Sequence, residues 1–448
     1  MPSPSWTTAS SSSVDILARC SPTHSTSAPA PSCPRCCEAS YRRRARPEIP
    51  RDCASRRSVP MRVIVIGAGV IGASVAAALA RRGADVTIVE ARAPGAGTSS
   101  TSFAWVNANS KEPRSYFDLN YAGVQAHHRL ASEGADWWAP TGNLEWACSE
   151  ADEARLHSRA SRLQEWGYAV RWLTAAEAHD LEPDARIPDN ARAFAFFPEE
   201  GCCFPMLLLA RLLGEATDRG AGLVPFSAVT AVESTPNGVT VALARSDTRA
   251  LQADAVVSCV GRWTSELLGV IEGVYDVPVL GPGHHEEATL GYLATTFPAP
   301  VRLSRVLTTP SLNVRPAGGG SLLLQALDLD PQTAPDQMPT PSGSLAEGIV
   351  ARAASVLPRA AGVTVRQLVL GRRAMPADGL TAAGFIDAGQ RVYAIATHSG
   401  VTLAPLLGDL AARELHGETV EDLAPFRPSR FEGQDYTAPK PARRAGEQ

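Results

Sequence analysis

The run MRVIVIGAGVIGASVAAALARRGADVTIVEAR, Met61 to Arg92, packs two strands, a helix and a glycine-rich turn into one short span. Val63 to Ile66 is a β-branched run of the kind a buried parallel strand requires. Gly67, Gly69 and Gly72 follow at GxGxxG spacing. That spacing serves a tight turn, a close backbone approach to a pyrophosphate, and close helix-to-strand packing, in that order. Ala73 to Arg82 reads as an alanine-rich helix, and Gly83 stops it. Asp85 to Glu90 is a second β-branched strand that ends in an acid and completes a βαβ unit. Val70 and Ile71 bring the helix N-terminus to the phosphates, and Glu90, flanked by Ala91 and Arg92, accepts the ribose hydroxyls. The unit predicts dinucleotide binding but by itself leaves FAD and NAD open.

The wider composition agrees with a globular enzyme. The chain has 448 residues, 44% of them hydrophobic, enough to bury a large core and to form two domains. Its formal net charge of -4 supplies no basic field for nucleic acid or an anionic membrane, so the expected partner is a small molecule. The apolar stretch from Val63 to Ala80 approaches membrane-span length, yet its glycines break it into strand, turn and helix, so no transmembrane segment is expected. Five cysteines (Cys20, Cys33, Cys36, Cys37, Cys53) precede Met61 and four (Cys148, Cys202, Cys203, Cys259) follow, which is not a disulfide framework. Cys33 and Cys36 have zinc-like spacing without a second pair, and His127-His128 and His284-His285 lack a third ligand, so no metal site is predicted. Residues 1–60 are Ser-, Pro- and Arg-rich without apolar periodicity; they are expected to be a disordered extension, with Met61 as the natural start.

Further along, Tyr116 to Leu130, Glu150 to Trp166, Pro205 to Arg219 and Ser344 to Val356 show helical patterns. Ala193 to Phe197, Gly222 to Val232, Val239 to Leu243, Ala255 to Val260 and much of Leu280 to Asp328 read as strands. Pro405 is best tolerated in the first turn of a helix, which predicts a helix start near Thr402 as N-cap.

Four segments extend the argument beyond the fingerprint: GAGTSSTSFAW (Gly95 to Trp105), PEEGCCFPMLLLARLLGEATDRGA (Pro198 to Ala221), DAVVSCVGRW (Asp254 to Trp263), and GRRAMPADGLTAAGF with VYAIATHSGVTLAPLLG between Gly371 and Gly417. Together they resemble the D-amino-acid oxidase, glycine oxidase and sarcosine oxidase family over nearly all of Met61 to Gly417. The resemblance implies an α/β fold: a Rossmann-like FAD-binding domain (61–112, 198–272, 365–432) with a mixed-sheet α+β substrate domain (113–197, 273–364) inserted discontinuously, and a disordered tail at 433–448. It implies cofactor contacts from Thr98, Ser99 and Ser100 in the pyrophosphate loop, from Val229, from Gly261 and Trp263, and from His398, Ser399, Gly400, Val401 and Thr402 at the flavin edge. Two positions depart from the family pattern, Ala374 and Thr381, where prolines are usual.

A carboxylate-bearing substrate calls for a guanidinium fork, and Arg315 and Arg373 stand at matching places, with Arg302 and Arg305 as weaker candidates. Each of these arginines also has a reading as a surface ion pair. His398 is a candidate for hydrogen bonding to flavin or substrate, the alternative being a loop histidine that caps backbone. Asn107, Asn109 and Lys111 in WVNANSKEP either touch flavin or substrate or cap the next helix.

The implied activity is oxidation of the C–N bond of an amino acid or secondary amine by hydride transfer to flavin, followed by imine hydrolysis, in a cytoplasmic protein. The electron acceptor is oxygen or another, unknown, molecule. The alternatives are a flavin-binding subunit of a larger dehydrogenase complex and a nicotinamide-linked dehydrogenase. Some relatives attach FAD through a histidine in the Gly/Ser loop or a C-terminal cysteine, but Gly95 to Val106 holds no histidine and no cysteine follows Cys259. FAD is therefore expected to be non-covalent. Acid precipitation should release all the yellow colour into the supernatant, and colour retained in the pellet would contradict this.

Overall fold

The computed structural model describes residues 60–132, 134–244, 250–281, 289–332, 336, 338–434 and 436. The expected extension up to residue 59, its five cysteines, His284-His285 and nearly all of the tail lie outside the described residues.

The strand Arg62–Ile66 lies at the centre of a six-stranded sheet, with order Ala382–Phe385, Val392–Ala396, Ala255–Ser258, Arg62–Ile66, Asp85–Val89, Gly222–Val224. All pairs are parallel except Ala382–Phe385 with Val392–Ala396. Val63, Ile64, Val65 and Ile66 are all buried, because helices and a small three-stranded sheet cover the two faces, which is why the strand is continuously apolar. The helix Val70–Arg81 starts three residues earlier than its alanine pattern suggests. It packs with Pro205–Asp218 and with the C-terminal helix Gly400–Leu415 in one apolar cluster. The closest helix contact is at Gly408, where a Cβ would come within 2.6 Å of the Ser74 carbonyl.

An eight-stranded mixed sheet forms the second layer system: Val365–Arg372, Leu290–Thr296, Ser321–Gln325, Asn313–Gly318, Val306–Thr308, Asn143–Ala147, Ala193–Phe197, Arg171–Leu173. The helix Ser344–Val356 contributes to the core of this sheet. Val365–Arg372, which the sequence reading grouped with the nucleotide-binding segments, is an edge strand of this second sheet, paired antiparallel with Leu290–Thr296. Among the described residues, no helix is long and apolar enough to cross a membrane.

The C-terminal helix corrects the expectation for Thr402. It begins at Gly400 with Ser399 as N-cap, so Pro405 lies beyond the first turn. Proline has no N–H, and the carbonyl four residues back, on Val401, therefore lacks its helical donor. His127, buried in the helix Arg114–Ala131, supplies it: its Nε2 lies 2.9 Å from the Val401 oxygen, so the Nε2–H tautomer donates there. Trp137 and Trp138 pack against the same ring, with centroids 5.4 Å away.

Burial pushes the His127 imidazole down to about 4, below its ordinary value near 6.5. The folded pKa is depressed, so the unfolded chain binds more protons between these values and stability falls as pH drops from about 6.5 to about 4. This ring should contribute on the order of 3 kcal/mol to that loss. Denaturant titration of wild type and His127→Gln across this window should show a smaller acid-dependent loss in the variant, and identical pH slopes would contradict the assignment.

Candidate active site

A cleft of about 710 Å³ runs along the carboxyl ends of the parallel strands, a size typical of cofactor sites. Its walls include Gly67, Gly69, Val70, Ile71, Glu90, Ala91, Arg92, Thr98, Ser99, Val229, Gly261, Trp263, His398, Gly400 and Val401. Gly67 adopts φ +104°, and a Cβ there would lie 2.6 Å from the Cys259 carbonyl oxygen. The turn therefore passes too close to the neighbouring strand end for any side chain. Gly69 at the N-cap brings no side chain, and the first helical N–H, on Val70, donates to Ser99 Oγ at 3.1 Å; Gly69, Val70 and Ser99 all line the cleft, so the positive end of the helix Val70–Arg81 faces it. Glu90 braces the turn from behind: Oε2 accepts from the Ala68 N–H and Oε1 from the Arg92 N–H, each at 2.8 Å. Two guanidinium groups lie over the Trp263 ring, Arg262 at 4.1 Å and Arg92 at 4.8 Å from its centroid. A long cleft with a glycine-lined anion cradle, a carboxylate for ribose hydroxyls and a flat aromatic wall fits a dinucleotide.

A second, smaller cavity of about 140 Å³ adjoins it, and Thr98, Ser102, His398 and Val401 line both. The small cavity is also lined by Trp105, Asn107, Asn109, Lys111, Asn313, Gln325, Arg373, Ser399 and Thr402. Lys111 is only 4% exposed, and the Arg373 side chain carries Asp330 at 3.5 Å from Nη2. Burial pushes the Asp330 carboxyl up to about 6 against the opposing pull of Arg373. Burial, and then the charges of Lys111 and Arg373, push the His398 imidazole well below its usual value, so it is neutral. Ser399 caps the C-terminal helix without a side-chain bond; its hydroxyl instead pairs with Tyr116 at 2.9 Å. The positive end of that helix thus points at the junction of the two cavities. Trp105 forms one wall, its Nε1–H donating to Glu200 at 2.8 Å, while Tyr168 donates to the other oxygen at 2.9 Å.

Several expected residues stand elsewhere. Arg315 lines neither cavity: its guanidinium is 5.8 Å from the rings of both Phe103 and Phe204 and donates to the carbonyls of Phe103 and Pro316. Arg305 pairs with Glu182 at 3.0 Å, and the backbone of Arg302 donates to Asp184, also away from both cavities. Gly72 does not face the cleft but packs on the turn, where a Cβ would overlap the Gly67 oxygen. Ser100 bonds the Gly97 carbonyl within a short 3-10 turn and lines neither cavity. Asn107, Asn109 and Lys111 do not cap the next helix, whose N-cap is Pro113 without a side-chain bond. The two departures have structural roles: Thr381 hydrogen-bonds Thr397 at 2.8 Å, and Ala374 lines the large cleft. Sequence reasoning missed Asn313 and Gln325, paired across two strands; the signal was a polar residue at one end of each strand, opening NVRP and closing LLLQ.

Glu90→Gln keeps the size but places an amide against one of two backbone donors and removes the charge. A charge-assisted bond contributes about 1.5–3 kcal/mol, so fluorescence titration of the deflavinated variant should show FAD affinity roughly ten- to hundredfold weaker. Affinity equal to wild type would remove Glu90 from the site.

Comparison with known proteins agrees with this geometry. Glycine oxidase from Geobacillus kaustophilus (strain HTA426) is 28% identical over 392 residues, covering 83% of this chain and 97% of that one. Glycine oxidase from Bacillus licheniformis is 25% identical over 371 residues, covering 80% and 94%. The crystal structure of glycine oxidase from Geobacillus kaustophilus superposes with a TM-score of 0.71 at 26% identity, covering 83% of this chain and all of that one. The model of the DAO family, described as FAD dependent oxidoreductase, matches residues 62–414, and the chain belongs to this family of FAD-dependent enzymes.

Proposed function

We propose that this chain oxidises the C–N bond of a small amine bearing a carboxylate, with FAD held non-covalently in the large cleft. The observation that carries this reading is the small cavity lined by two cations, the buried Lys111 and the part-buried Arg373, opening onto the dinucleotide cleft at His398 and Val401. The relatives named glycine oxidase support the same substrate class. When bound, FAD supplies a two-electron acceptor for hydride from the carbon next to nitrogen, and the resulting imine hydrolyses in water.

The chain's own residues bind, orient and polarise. Arg373 receives the substrate carboxylate through its planar fork. The two cations disfavour the ammonium form of a bound amine, and the neutral amine is the form able to release a hydride. His398, held neutral, offers one hydrogen bond and no charge at the cavity junction. The N-terminus of the helix Gly400–Leu415 holds positive potential at the same place, where negative charge accumulates in the reaction. Trp105, fixed by Glu200, closes one side of the cavity. Positioning and electrostatics of this kind lower the barrier without a strong side-chain base.

The test is incubation of the yellow holoenzyme with a panel of small amines, with and without a carboxylate, and detection of the oxoacid product. Carboxylate-bearing amines should yield oxoacid, and Arg373→Lys, which keeps charge but loses the fork, should cost roughly tenfold or more in kcat/KM. Failure of every carboxylate-bearing amine would refute the reading.

A further inference from the structure

The strands Ala382–Phe385 and Val392–Ala396 pair antiparallel with Ala382 opposite Ala396. That register sets Thr381 and Thr397, one residue beyond the pair on each strand, side by side, and their hydroxyls share a hydrogen bond of 2.8 Å. Thr397 Oγ1 also accepts the Ser399 N–H at 3.2 Å. Ser399 is the N-cap of the helix Gly400–Leu415, a place where a serine hydroxyl ordinarily accepts from the first helical turn. Here that hydroxyl pairs with Tyr116, 2.9 Å away, and makes no cap. All four residues are buried. Burial pushes the Tyr116 phenol up, against hydrogen bonding from Ser399, Asn120, Thr397 and Thr381, so the cluster is uncharged.

The diverted serine decides what the helix end offers. The first helical bond runs from the Leu403 N–H to the Ser399 carbonyl at 2.9 Å, so the N–H groups of Gly400, Val401 and Thr402 precede every helical acceptor. Gly400 and Val401 line the large cleft, and Val401 and Thr402 line the small cavity. Glu90 marks the ribose end of the cleft, which leaves the hydride-accepting ring for the other end, at the junction with the small cavity. Uncapped N–H groups and the positive helix end favour, at that place, the negative charge that the ring gains on reduction. A serine that capped its own helix would use up one of these donors, and a turn released from Thr397 would not keep them aimed.

We propose that Thr381 and Tyr116, which line neither cavity, are positioning residues that set the reduction potential of bound FAD. Thr381 holds the Thr397 hydroxyl on the Ser399 N–H, and Tyr116 holds the Ser399 hydroxyl away from the helix. Both keep the first-turn donors available to the reduced ring. This rests on FAD lying in the large cleft with its ring at the junction, and it is independent of which amine is oxidised.

The test is the two-electron potential of the holoenzyme, read from flavin absorbance during anaerobic equilibration with a reference dye, in wild type, Thr381→Val and Tyr116→Phe. Each variant keeps the shape of the side chain and removes one hydroxyl. Tyr116→Phe releases Ser399 to cap its helix, and Thr381→Val leaves the Thr397 hydroxyl without its partner. Each should weaken the site's preference for reduced over oxidised FAD roughly three- to tenfold, a shift of about 15 to 30 mV toward negative potential. The affinity for oxidised FAD, whose ring is uncharged, should stay close to that of wild type. A role confined to packing would weaken both forms alike and leave the potential where it was. An unchanged or more positive potential in either variant would overturn the inference, and either variant alone decides if the other does not hold FAD. The expected shift in a protein that oxidises no amine would sink the proposed C–N oxidation and leave this assignment standing, whereas turnover of a carboxylate-bearing amine without the shift would sink this assignment alone.

Discussion

A helix with a proline beyond its first turn has a bare carbonyl, and here a histidine from another helix covers it. The His127 to Val401 bond covers that carbonyl in a helix, Gly400–Leu415, that begins at Gly400 rather than with Thr402 as its N-cap. Everything at the junction of the two cavities follows from that start. It brings His398 and Val401 to the shared wall, turns the helix's positive end toward that wall, and frees Ser399 to bond Tyr116. The close approach of Gly408 to Ser74 then locks this helix against the one that begins the dinucleotide cradle. The site is thus built by two helices that converge with their N-termini on one cleft, each positive end facing a place where a ligand brings negative charge.

Electrostatics divides the site into two compartments. The large cleft offers backbone amides, one carboxylate and a Trp263 face flanked by guanidiniums, a set suited to a long dinucleotide. The small one brings together two cations, one buried and one part-buried, and keeps its histidine neutral, a set suited to a small anion and a neutral amine. Burying cations is costly unless an anion meets them. Asp330 lies 3.5 Å from Arg373 Nη2 and partly offsets its charge, while burial raises the Asp330 carboxyl to about 6.

The nucleotide-binding half was legible in the sequence because its signals are local. A β-branched strand, three glycines at fixed spacing, an alanine-rich helix and an acid-ended strand lie within Met61 to Glu90, and each has a short-range physical cause. The substrate side was less legible because it is assembled from distant segments. Arg315 and Arg373 look alike in sequence, yet Phe103 and Phe204 cover the first while the second lines the cavity. Thr402 was a sound N-cap by local rules, but the N-cap is Ser399, and the Val401 carbonyl that Pro405 leaves bare meets His127, hundreds of residues away. The edge strand Val365–Arg372, expected with the nucleotide-binding segments, pairs with Leu290–Thr296 in the second sheet, because strand pairing is a long-range choice.

The most direct measurement of the central claim is anaerobic rapid mixing of the FAD-loaded protein with a carboxylate-bearing amine carrying hydrogen or deuterium on the carbon next to nitrogen. The account predicts that the flavin colour bleaches in a single turnover and that deuterium slows the bleaching severalfold. Absence of bleaching, or equal rates for the two isotopes, would contradict it.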